Sequence, residues 1–275
     1  MPERLFQSGN IAIKKCRYGL FAYNINDEII GRSLDSYGEW TEPEMTALGQ
    51  IIQAGDIVLD VGAYIGTHAV FFAKKVAPNG LVFAIEPQRL IFNLLCTNIA
   101  LNNLLNVICL NKFATDIDKK IKVPLLDPDK EQNFGALKIE GLNQGEIIDT
   151  LIIDSLKLPR CKLIKIDVEG GEEKVLVGAE ETIQRCKPML YVENNTVEGS
   201  DRIIKTIFRL GYRAFWHILD YYQPGNFFKN KTNIFKNIQP EANMICFPKE
   251  ARLNLPGFVE VSGVGDNWQE ALKRM

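Results

Sequence analysis

The sequence predicts an α/β protein with a doubly wound, mostly parallel sheet, and three observations support this prediction. Short apolar runs of strand character alternate with segments of helical spacing between residues 57 and 218. The first apolar run, 57–61, is followed by two glycines four residues apart, Gly62 and Gly66, and then by a helical pattern. The second run ends at Glu86, about 20 residues further on, where an acidic residue of such a fold is placed to bind a ribose.

The segment before the first core strand is predicted to be an extension of the fold. Residues 1–40 contain only irregular strand candidates, at 19–23 and 29–30, and we expect them to pack on the core as an N-terminal extension. The main domain is then expected to span residues 41–275. It opens with a helix over 42–53, where apolar residues recur at helical spacing.

The remaining core elements alternate as βαβ units require. They are strand 57–61, helix 67–77, strand 81–86, helix 88–101, strand 106–111, helix 154–157, strand 163–167, helix 171–185, strand 189–193, helix 199–210, and strands 212–218 and 242–247. A turn-rich loop joins the last two strands, so the seventh strand is expected to run antiparallel. Residues 115–150 break the rhythm with prolines, glycines and short alternating runs, which predicts a β-hairpin insertion.

Composition excludes several classes of protein. The 275 residues carry a net charge of −2 with a pI near 5.9, which argues against a nucleic-acid partner because such partners need a basic face. The six cysteines are scattered without a C-x-x-C pair, so neither a zinc site nor a disulfide framework is predicted. The sequence holds no apolar run near 18 residues, and its first residues do not have the basic-then-apolar pattern expected of a leader. We therefore expect a soluble, cytoplasmic protein with reduced thiols and no membrane span.

The loop after the first strand favours one kind of nucleoside cofactor. A dinucleotide site needs G-x-G-x-x-G, whose central glycine admits a pyrophosphate, whereas this loop reads Asp60-x-Gly62-x-x-x-Gly66. A carboxylate at Asp60 would repel a pyrophosphate but suits an ammonium group. S-adenosylmethionine carries an ammonium and a sulfonium and no phosphate, so it is the predicted cofactor. An ordinary α/β turn is the competing interpretation.

Acidic and amide residues follow the predicted core strands. In doubly wound sheets, ligands bind beyond the carboxyl ends of the central strands. That rule selects 60–66, Glu86, 114–116, 167–170 and 193–195. Such residues also suit turns and helix caps, but the convergence of five strand ends favours a binding site.

The sequence resembles the FkbM-type family of class I S-adenosylmethionine-dependent methyltransferases. Two segments carry the resemblance, VLDVGAYIG at 58–66 and LIKIDVEGGE at 163–172, the second followed by VLVGA at 175–179. Weaker similarity at YGEWTEPE (37–44) and elsewhere extends it over nearly the whole chain. The family implies a Rossmann-like fold. Tyr64 departs from the family pattern, in which asparagine is usual.

The resemblance implies a set of cofactor contacts. The methionyl part would lie against the glycine loop and pair with Asp60, the ribose would bind Glu86, and the adenine would lie beside residues 114–116. The implied cofactor-binding residues are Asp60, Gly62, Ala63, Tyr64, Gly66, Thr67, Glu86, Pro87, Ala114, Asp116 and Asp167.

A hydroxyl acceptor also requires a group that removes its proton. His217, one of two histidines, is the first candidate for this base, and Asp167 and Glu169 beside the transferred methyl are the others. Oxygen ligands from Asp167, Glu193 and Asn194 could instead hold Mg²⁺, as in the similar metal-dependent catechol methyltransferases. The metal is kept as an alternative, and the adopted set of cofactors contains S-adenosylmethionine only.

The predicted function is therefore methyl transfer from S-adenosylmethionine to a hydroxyl oxygen. The expected acceptor is a small molecule or glycan, such as a sugar, a natural product or a glycoconjugate. The alternatives are methylation of an amide nitrogen on a peptide or protein, an NAD-linked oxidoreductase, and a binding module without activity. The missing G-x-G-x-x-G disfavours the oxidoreductase.

Overall fold

The structure is a computed structural model that describes residues 2–139, 144–251, 255 and 257–275. Its strands are β1 (Phe6–Ser8), β2 (Ile11–Cys16), β3 (Gly19–Asn24), β4 (Ile57–Val61), β5 (Leu81–Ile85), β6 (Val107–Leu110), β7 (Phe113–Ala114), β8 (Lys120–Val123), β9 (Glu146–Leu151), β10 (Leu163–Ile166), β11 (Met189–Glu193), β12 (Tyr212–Leu219), β13 (Glu241–Pro248) and β14 (Val259–Glu260). Its helices are α1 (Ile30–Tyr37), α2 (Glu42–Gly49), α3 (Thr67–Val76), α4 (Arg89–Leu101), α5 (Glu172–Gly178), α6 (Glu180–Cys186), α7 (Ser200–Arg209) and α8 (Trp268–Leu272), with a 3-10 helix at Ile153–Leu156.

The central sheet confirms the predicted doubly wound fold. Its order is β14-β12-β13-β11-β10-β4-β5-β6, and the pairs among β11, β10, β4, β5 and β6 are parallel. The seven predicted strands are all present, and β13 pairs antiparallel with both β11 and β12. Within the described ranges, the two-residue β14 adds an eighth strand at the edge. Apolar residues from both faces of the sheet form two large clusters, as a sheet covered by helices requires.

The order of the strands places a crevice at the carboxyl ends of the central strands. Strand β4 is buried at every position and pairs with β5 on one side and with β10 on the other. The chain therefore reverses its winding direction at β4. A ligand of a doubly wound sheet binds at such a point, beyond the carboxyl ends of the strands.

Three local predictions were wrong in detail. The predicted helix 171–185 is two helices that meet at Ala179. A Cβ on Gly178 would lie 2.3 Å from the Thr115 carbonyl oxygen, so the chain packs closely where α5 ends. Residues 29–30 are not a strand but lead into α1, where the Asp27 carboxylate accepts the N–H groups of Ile29 and Gly31. The predicted helix 154–157 is a 3-10 helix at Ile153–Leu156.

The N-terminal extension packs on the core as a small antiparallel sheet of β1, β2 and β3. Asn98 of α4 is fully buried and bonds both the N–H and the carbonyl of Ala22 in β3, at 2.6 and 3.0 Å. The same amide donates to the Ile65 carbonyl in the glycine loop, at 2.7 Å. One buried side chain therefore holds the extension, α4 and the loop together.

The insertion contains the predicted hairpin. Strands β8 and β9 pair antiparallel, and β7 pairs parallel with β9 to complete a three-stranded sheet. The turn-forming residues around Phe134 favour an exposed position, but Phe134 is only 3% exposed and packs in the main core. Its carbonyl accepts the Gln88 side chain at 2.9 Å. Phe134 therefore anchors the insertion to the core, although turn-forming residues surround it in the sequence.

Two further observations bear on sequence-based expectations. Among the described residues, no helix has both the length and the apolar character needed to cross a membrane. The six cysteines are free thiols that lie buried or half-buried.

A buried lysine joins the two strands at the crevice. Lys165 of β10 is 2% exposed, and its Nζ lies 3.7 Å from Asp60 Oδ1 and 3.0 Å from Asp167 Oδ2. Burial alone would lower the pKa of Lys165, but the carboxylates of Asp167, Asp60 and Glu44 raise it above its ordinary value. Asp60 is fully buried and neither of its oxygens accepts a hydrogen bond in the described chain, so Lys165 is its charge partner.

We expect Lys165→Met to lower the free energy of unfolding by about 3–5 kcal/mol, because Asp60 would be left as a buried, uncompensated carboxylate. Urea unfolding measures this loss. Adding Asp60→Asn to the same variant should recover part of it, since the uncompensated charge is then removed. An unchanged unfolding free energy in Lys165→Met would show that the ion pair is not needed.

Candidate functional site

A cavity of about 310 Å³ lies beyond the carboxyl ends of β4, β5, β10 and β11. Its size falls at the lower end of small-molecule binding sites. One side is formed by the glycine loop and the end of β5, and the other by the segments after β10 and β11. The insertion contributes Asn133 and residues 135–139, and the extension contributes Ile29, Ile30 and Trp40. Segments distant in the sequence therefore meet at the predicted strand ends.

The glycines of the loop are required by packing. Gly62 has φ +79°, and a Cβ there would lie 1.7 Å from the Asp167 carbonyl oxygen. Gly66 has φ +87°, and its Cβ would lie 2.7 Å from Leu95 Cδ1. The resemblance places the methionyl part of the cofactor against this loop. The structure adds a packing reason for both glycines, since backbone and side chains of neighbouring elements come close at these positions.

Tyr64 connects the loop to the extension. Its backbone lies in the left-handed region at φ +50°, and its N–H donates to Glu86 Oε2 at 3.1 Å. Its hydroxyl donates to Asp27 Oδ2 at 2.9 Å. The tyrosine ring thus turns towards Asp27 of the extension, which explains how a large residue fits this position.

Glu86 is held rigidly at the cavity wall. Its carboxylate accepts the N–H of Gln88 at 2.8 Å and that of Tyr64 at 3.1 Å, and the residue is 4% exposed. Burial raises the pKa of Glu86 to about 7, against the effect of these two hydrogen bonds. A carboxylate has about four lone-pair sites, so about two remain for a ligand. Glu86 can therefore accept hydrogen bonds from two neighbouring hydroxyls.

The structure brings together only part of the predicted cofactor set. The members that line the cavity are Gly62, Tyr64, Glu86, Pro87, Ala114 and Asp167. The members that do not line it are Asp60, Ala63, Gly66, Thr67 and Asp116. Asp60 lies inside β4 with its charge matched by Lys165, so the expected direct contact with an ammonium group is not supported.

Three carboxylates meet on the opposite side of the cavity. Oxygen atoms of Asp167, Glu169 and Glu193 all lie within 4.8 Å of one another. Glu169 has φ +58°, so its backbone is strained at this point. Burial and the neighbouring carboxylates raise the pKa of Glu169 to about 8, and the same causes raise the pKa of Glu193 well above its usual range. Burial and the neighbouring carboxylates therefore disfavour the ionised forms of Glu169 and Glu193.

His217 is not brought to this cavity. Its strand, β12, is three strands away from β10, a distance of about 14 Å at the usual strand spacing. Its Nδ1 lies 3.0 Å from the Tyr191 hydroxyl, and the ring lines a separate cavity together with Phe258. Burial lowers the pKa of His217 to about 4. Of the three predicted catalytic residues, only Asp167 and Glu169 lie at the site.

Sequence reasoning missed several residues of the cavity wall. Glu44 of α2 lies 3.0 Å from His68 Nε2, and burial raises the pKa of Glu44 to about 8. Tyr221 donates to Glu241 at 2.6 Å and stacks on Trp40, with ring centroids 5.1 Å apart. Glu241 could have been found, because the first residue of an antiparallel strand lies at the same edge as the carboxyl ends of its neighbours.

Residues 60–214 match the sequence model of a family described as Methyltransferase FkbM domain, which is more than half of the chain. No protein sequence in a search of curated proteins matches the chain.

Several solved structures resemble the chain. A precorrin-6y C5,15-methyltransferase from Geobacter metallireducens is 13% identical, with a TM-score of 0.50 over 75% of this chain and 88% of that chain. A methyltransferase FkbM from Methylobacillus flagellatus is 18% identical, with a TM-score of 0.46 over 70% of this chain and 43% of that chain. An S-adenosylmethionine-dependent O-methyltransferase from Thermotoga maritima is 13% identical, with a TM-score of 0.47 over 90% and 80%. At these identities, the likeness to the first shows a shared fold alone.

We expect Gly62→Ala to destabilise the protein more than Gly55→Ala, measured as the free energy of unfolding in urea. Both glycines have positive φ, so each substitution incurs a backbone strain of about 1–2 kcal/mol. Only at Gly62 would the new Cβ also collide with a carbonyl oxygen, which adds about 1–3 kcal/mol. Equal losses would show that the approach of Asp167 to Gly62 is unimportant.

Proposed function

We propose that this chain, which belongs to the FkbM methyltransferase family, methylates a hydroxyl oxygen of a sugar or natural-product acceptor. Its activity is S-adenosylmethionine-dependent methyl transfer, which removes the NAD-linked oxidoreductase and the silent binding module from consideration. One observation supports the choice of acceptor atom. The acidic residues Asp167, Glu169 and Glu193 face the same cavity as Gly62 and Glu86, so an acceptor hydroxyl would lie next to the donor.

The wall formed by the loop and β5 fits the donor. S-adenosylmethionine supplies an electrophilic methyl group on a sulfonium. We assign the ribose hydroxyls to Glu86, whose carboxylate is already oriented by two backbone N–H groups. Gly62 and Tyr64 would contact the methionyl part, and Pro87 and Ala114 would lie beside the adenine. Burial of Glu86 strengthens its hydrogen bonds, because little water competes there.

The wall formed by the segments after β10 and β11, here called the acceptor wall, would position and deprotonate the acceptor. The acceptor oxygen forms a bond to the methyl carbon as the carbon–sulfur bond breaks, and the bonding electrons stay on sulfur. The hydroxyl proton passes to a carboxylate oxygen of Asp167 or Glu169. Much of the rate enhancement would come from holding the two reactants in line, which contributes up to about 7–11 kcal/mol in favourable cases. His217 is not part of this proposal, because it lines another cavity.

The chemistry of the acceptor wall supports a polyhydroxylated acceptor. Carboxylate and amide groups of Glu193, Asn195 and Glu241 can accept or donate hydrogen bonds to several hydroxyls. The aromatic pair Trp40 and Tyr221 offers apolar surface beside them. This mixture of aromatic surface and a few polar groups is typical of small-molecule sites. The acidic wall also supports a small-molecule or glycan acceptor over a nucleic acid.

We further propose roles for the two segments outside the core. The insertion, residues 115–150, forms part of the acceptor wall through Asn133 and Lys138. Residues 1–40 act as an extension of the main domain, residues 41–275, and Ile29, Ile30 and Trp40 close one side of the cavity.

Incubating the protein with S-adenosylmethionine that carries a labelled methyl carbon and with fractionated cell extracts tests the acceptor. We expect one labelled product whose methyl group has the carbon chemical shift of an ether, O–CH₃. A methyl resonance typical of N–CH₃ would instead support amide methylation of a peptide or protein. Glu169→Gln should slow labelling of the same product, because one of the two proposed proton acceptors is lost, while S-adenosylhomocysteine still binds.

We expect Glu86→Gln to weaken S-adenosylhomocysteine binding by about 1.5–3 kcal/mol, because hydrogen bonds to an ionised carboxylate are lost. The pKa of Glu86 is raised to about 7, so the wild-type carboxylate is protonated below that pH and its affinity should fall as the pH decreases through 7. Calorimetry over this pH range should show the fall in the wild type and its absence in Glu86→Gln.

Glu173→Gln is a matched control for Glu86→Gln. Glu173 is a partly exposed residue of α5 paired with Arg202, and it does not line the cavity. Its affinity and pH dependence should equal those of the wild type. An unchanged affinity in a folded Glu86→Gln variant would reject the assignment of the ribose to Glu86.

A further inference from the structure

We propose that Asp167, Glu169 and Glu193 bind a single divalent cation, with Asn194 as a neutral oxygen ligand. This inference rests on the proposed methyl transfer and deepens it, because the ion would hold the acceptor oxygen. The carboxylates come from two adjacent strand ends, Asp167 and Glu169 after β10 and Glu193 at the last position of β11. Parallel pairing of these strands brings the three groups together.

The spacing of the oxygen atoms suits one ion. Each carboxylate offers an oxygen within 4.8 Å of the others. Oxygen ligands lie about 2.1 Å from Mg²⁺ and about 2.3–2.6 Å from Ca²⁺, so opposite ligands are about 4–5 Å apart. An ion between the three carboxylates therefore reaches all of them with small side-chain adjustments.

A second observation, independent of the carboxylates, points to a ligand. Asn194 is 2% exposed and lines the same cavity, yet its Oδ1 has no hydrogen-bond partner in the described chain. Buried side-chain oxygens are nearly always paired, so an unpaired one indicates a missing ligand, ion or water. Asn195, which also lines the cavity, has a buried Oδ1 without a partner as well.

The orientation of the Asn194 amide follows from its neighbours. Its Nδ2 donates to Ser200 Oγ at 2.9 Å, and the Ser200 hydroxyl donates to the Asp266 carbonyl at 2.9 Å. Because that hydroxyl proton is already used, a reversed Asn194 amide would place its oxygen against another acceptor. The free Oδ1 is therefore a consequence of the surrounding packing.

The charges at the site favour a dication. Lys165 contacts only Asp167 among the three carboxylates, and Glu193 is paired with the neutral Asn195 amide. A set of oxygen ligands without histidine or cysteine favours Mg²⁺, Mn²⁺ or Ca²⁺ over zinc.

An ion at this position would change how the acceptor is activated. A hydroxyl bound to a divalent cation has a lowered pKa and a fixed orientation. Its proton would pass to a carboxylate oxygen of the same cluster that does not contact the ion. The carboxylates would then act both as ligands and as the proton acceptor.

Titration of chelator-treated full-length protein with Mn²⁺, followed by electron paramagnetic resonance, tests this proposal. We expect one bound Mn²⁺ per chain, displaced by Mg²⁺. Loss of a residue that merely orients a metal ligand typically weakens metal binding 10- to 100-fold, so loss of a direct ligand in Glu193→Gln or Glu169→Gln should weaken Mn²⁺ binding at least about tenfold. Glu241→Gln removes a carboxylate from the same cavity but outside the cluster, and should weaken binding far less.

S-adenosylhomocysteine affinity, measured on the same samples, shows that each variant is folded and separates the two proposals. Wild-type protein that binds S-adenosylhomocysteine but no Mn²⁺ would overturn the metal site. Equal Mn²⁺ affinity in the wild type and both cluster variants would also overturn it. Mn²⁺ binding without S-adenosylhomocysteine binding would instead contradict the proposed donor site and leave the metal site standing.

Discussion

The structure depends on one buried cation between the two strands where the winding of the sheet reverses. Lys165 lies between Asp60 in β4 and Asp167 at the end of β10, and it is the reason that a fully buried carboxylate can persist in the first strand. The same lysine sets the charge of the site, since it offsets one carboxylate of the cluster and leaves Glu169 and Glu193 unmatched. The burial of Asp60 in β4 and the charge balance of the cavity therefore both depend on this lysine.

The sequence was sufficient to predict where the core strands lie, because each buried strand is a short apolar run bounded by turn residues. Strands 57–61 and 189–193 were predicted with their observed bounds. The features that could not be predicted depend on contacts between segments that are far apart in the sequence. The break between α5 and α6 reflects the contact of Gly178 with Thr115, and the burial of Phe134 depends on α4 and the loop around it.

The residues of the site can likewise be divided into those that the sequence predicts and those that only the fold brings to the cavity. Gly62, Tyr64, Glu86 and Asp167 were predicted because they follow strands that pair with neighbours in a recognisable order. His217 was misplaced because the lateral position of β12 in the sheet cannot be deduced from a strand pattern. Trp40 and Tyr221, which lie outside the family match, gave no sign in the sequence that they would reach the cavity, whereas Glu241 could have been placed there from the direction of its strand.

The hydrogen bond from Tyr64 to Asp27 has a consequence for protein engineering. The loop residue belongs to the core of the fold, whereas its partner belongs to the flanking extension, and a shorter side chain at position 64 would remove that donor from a buried carboxylate. A chimaera that joins this core to a different flank would therefore need both halves of the pair, so the flank and the loop are best exchanged together.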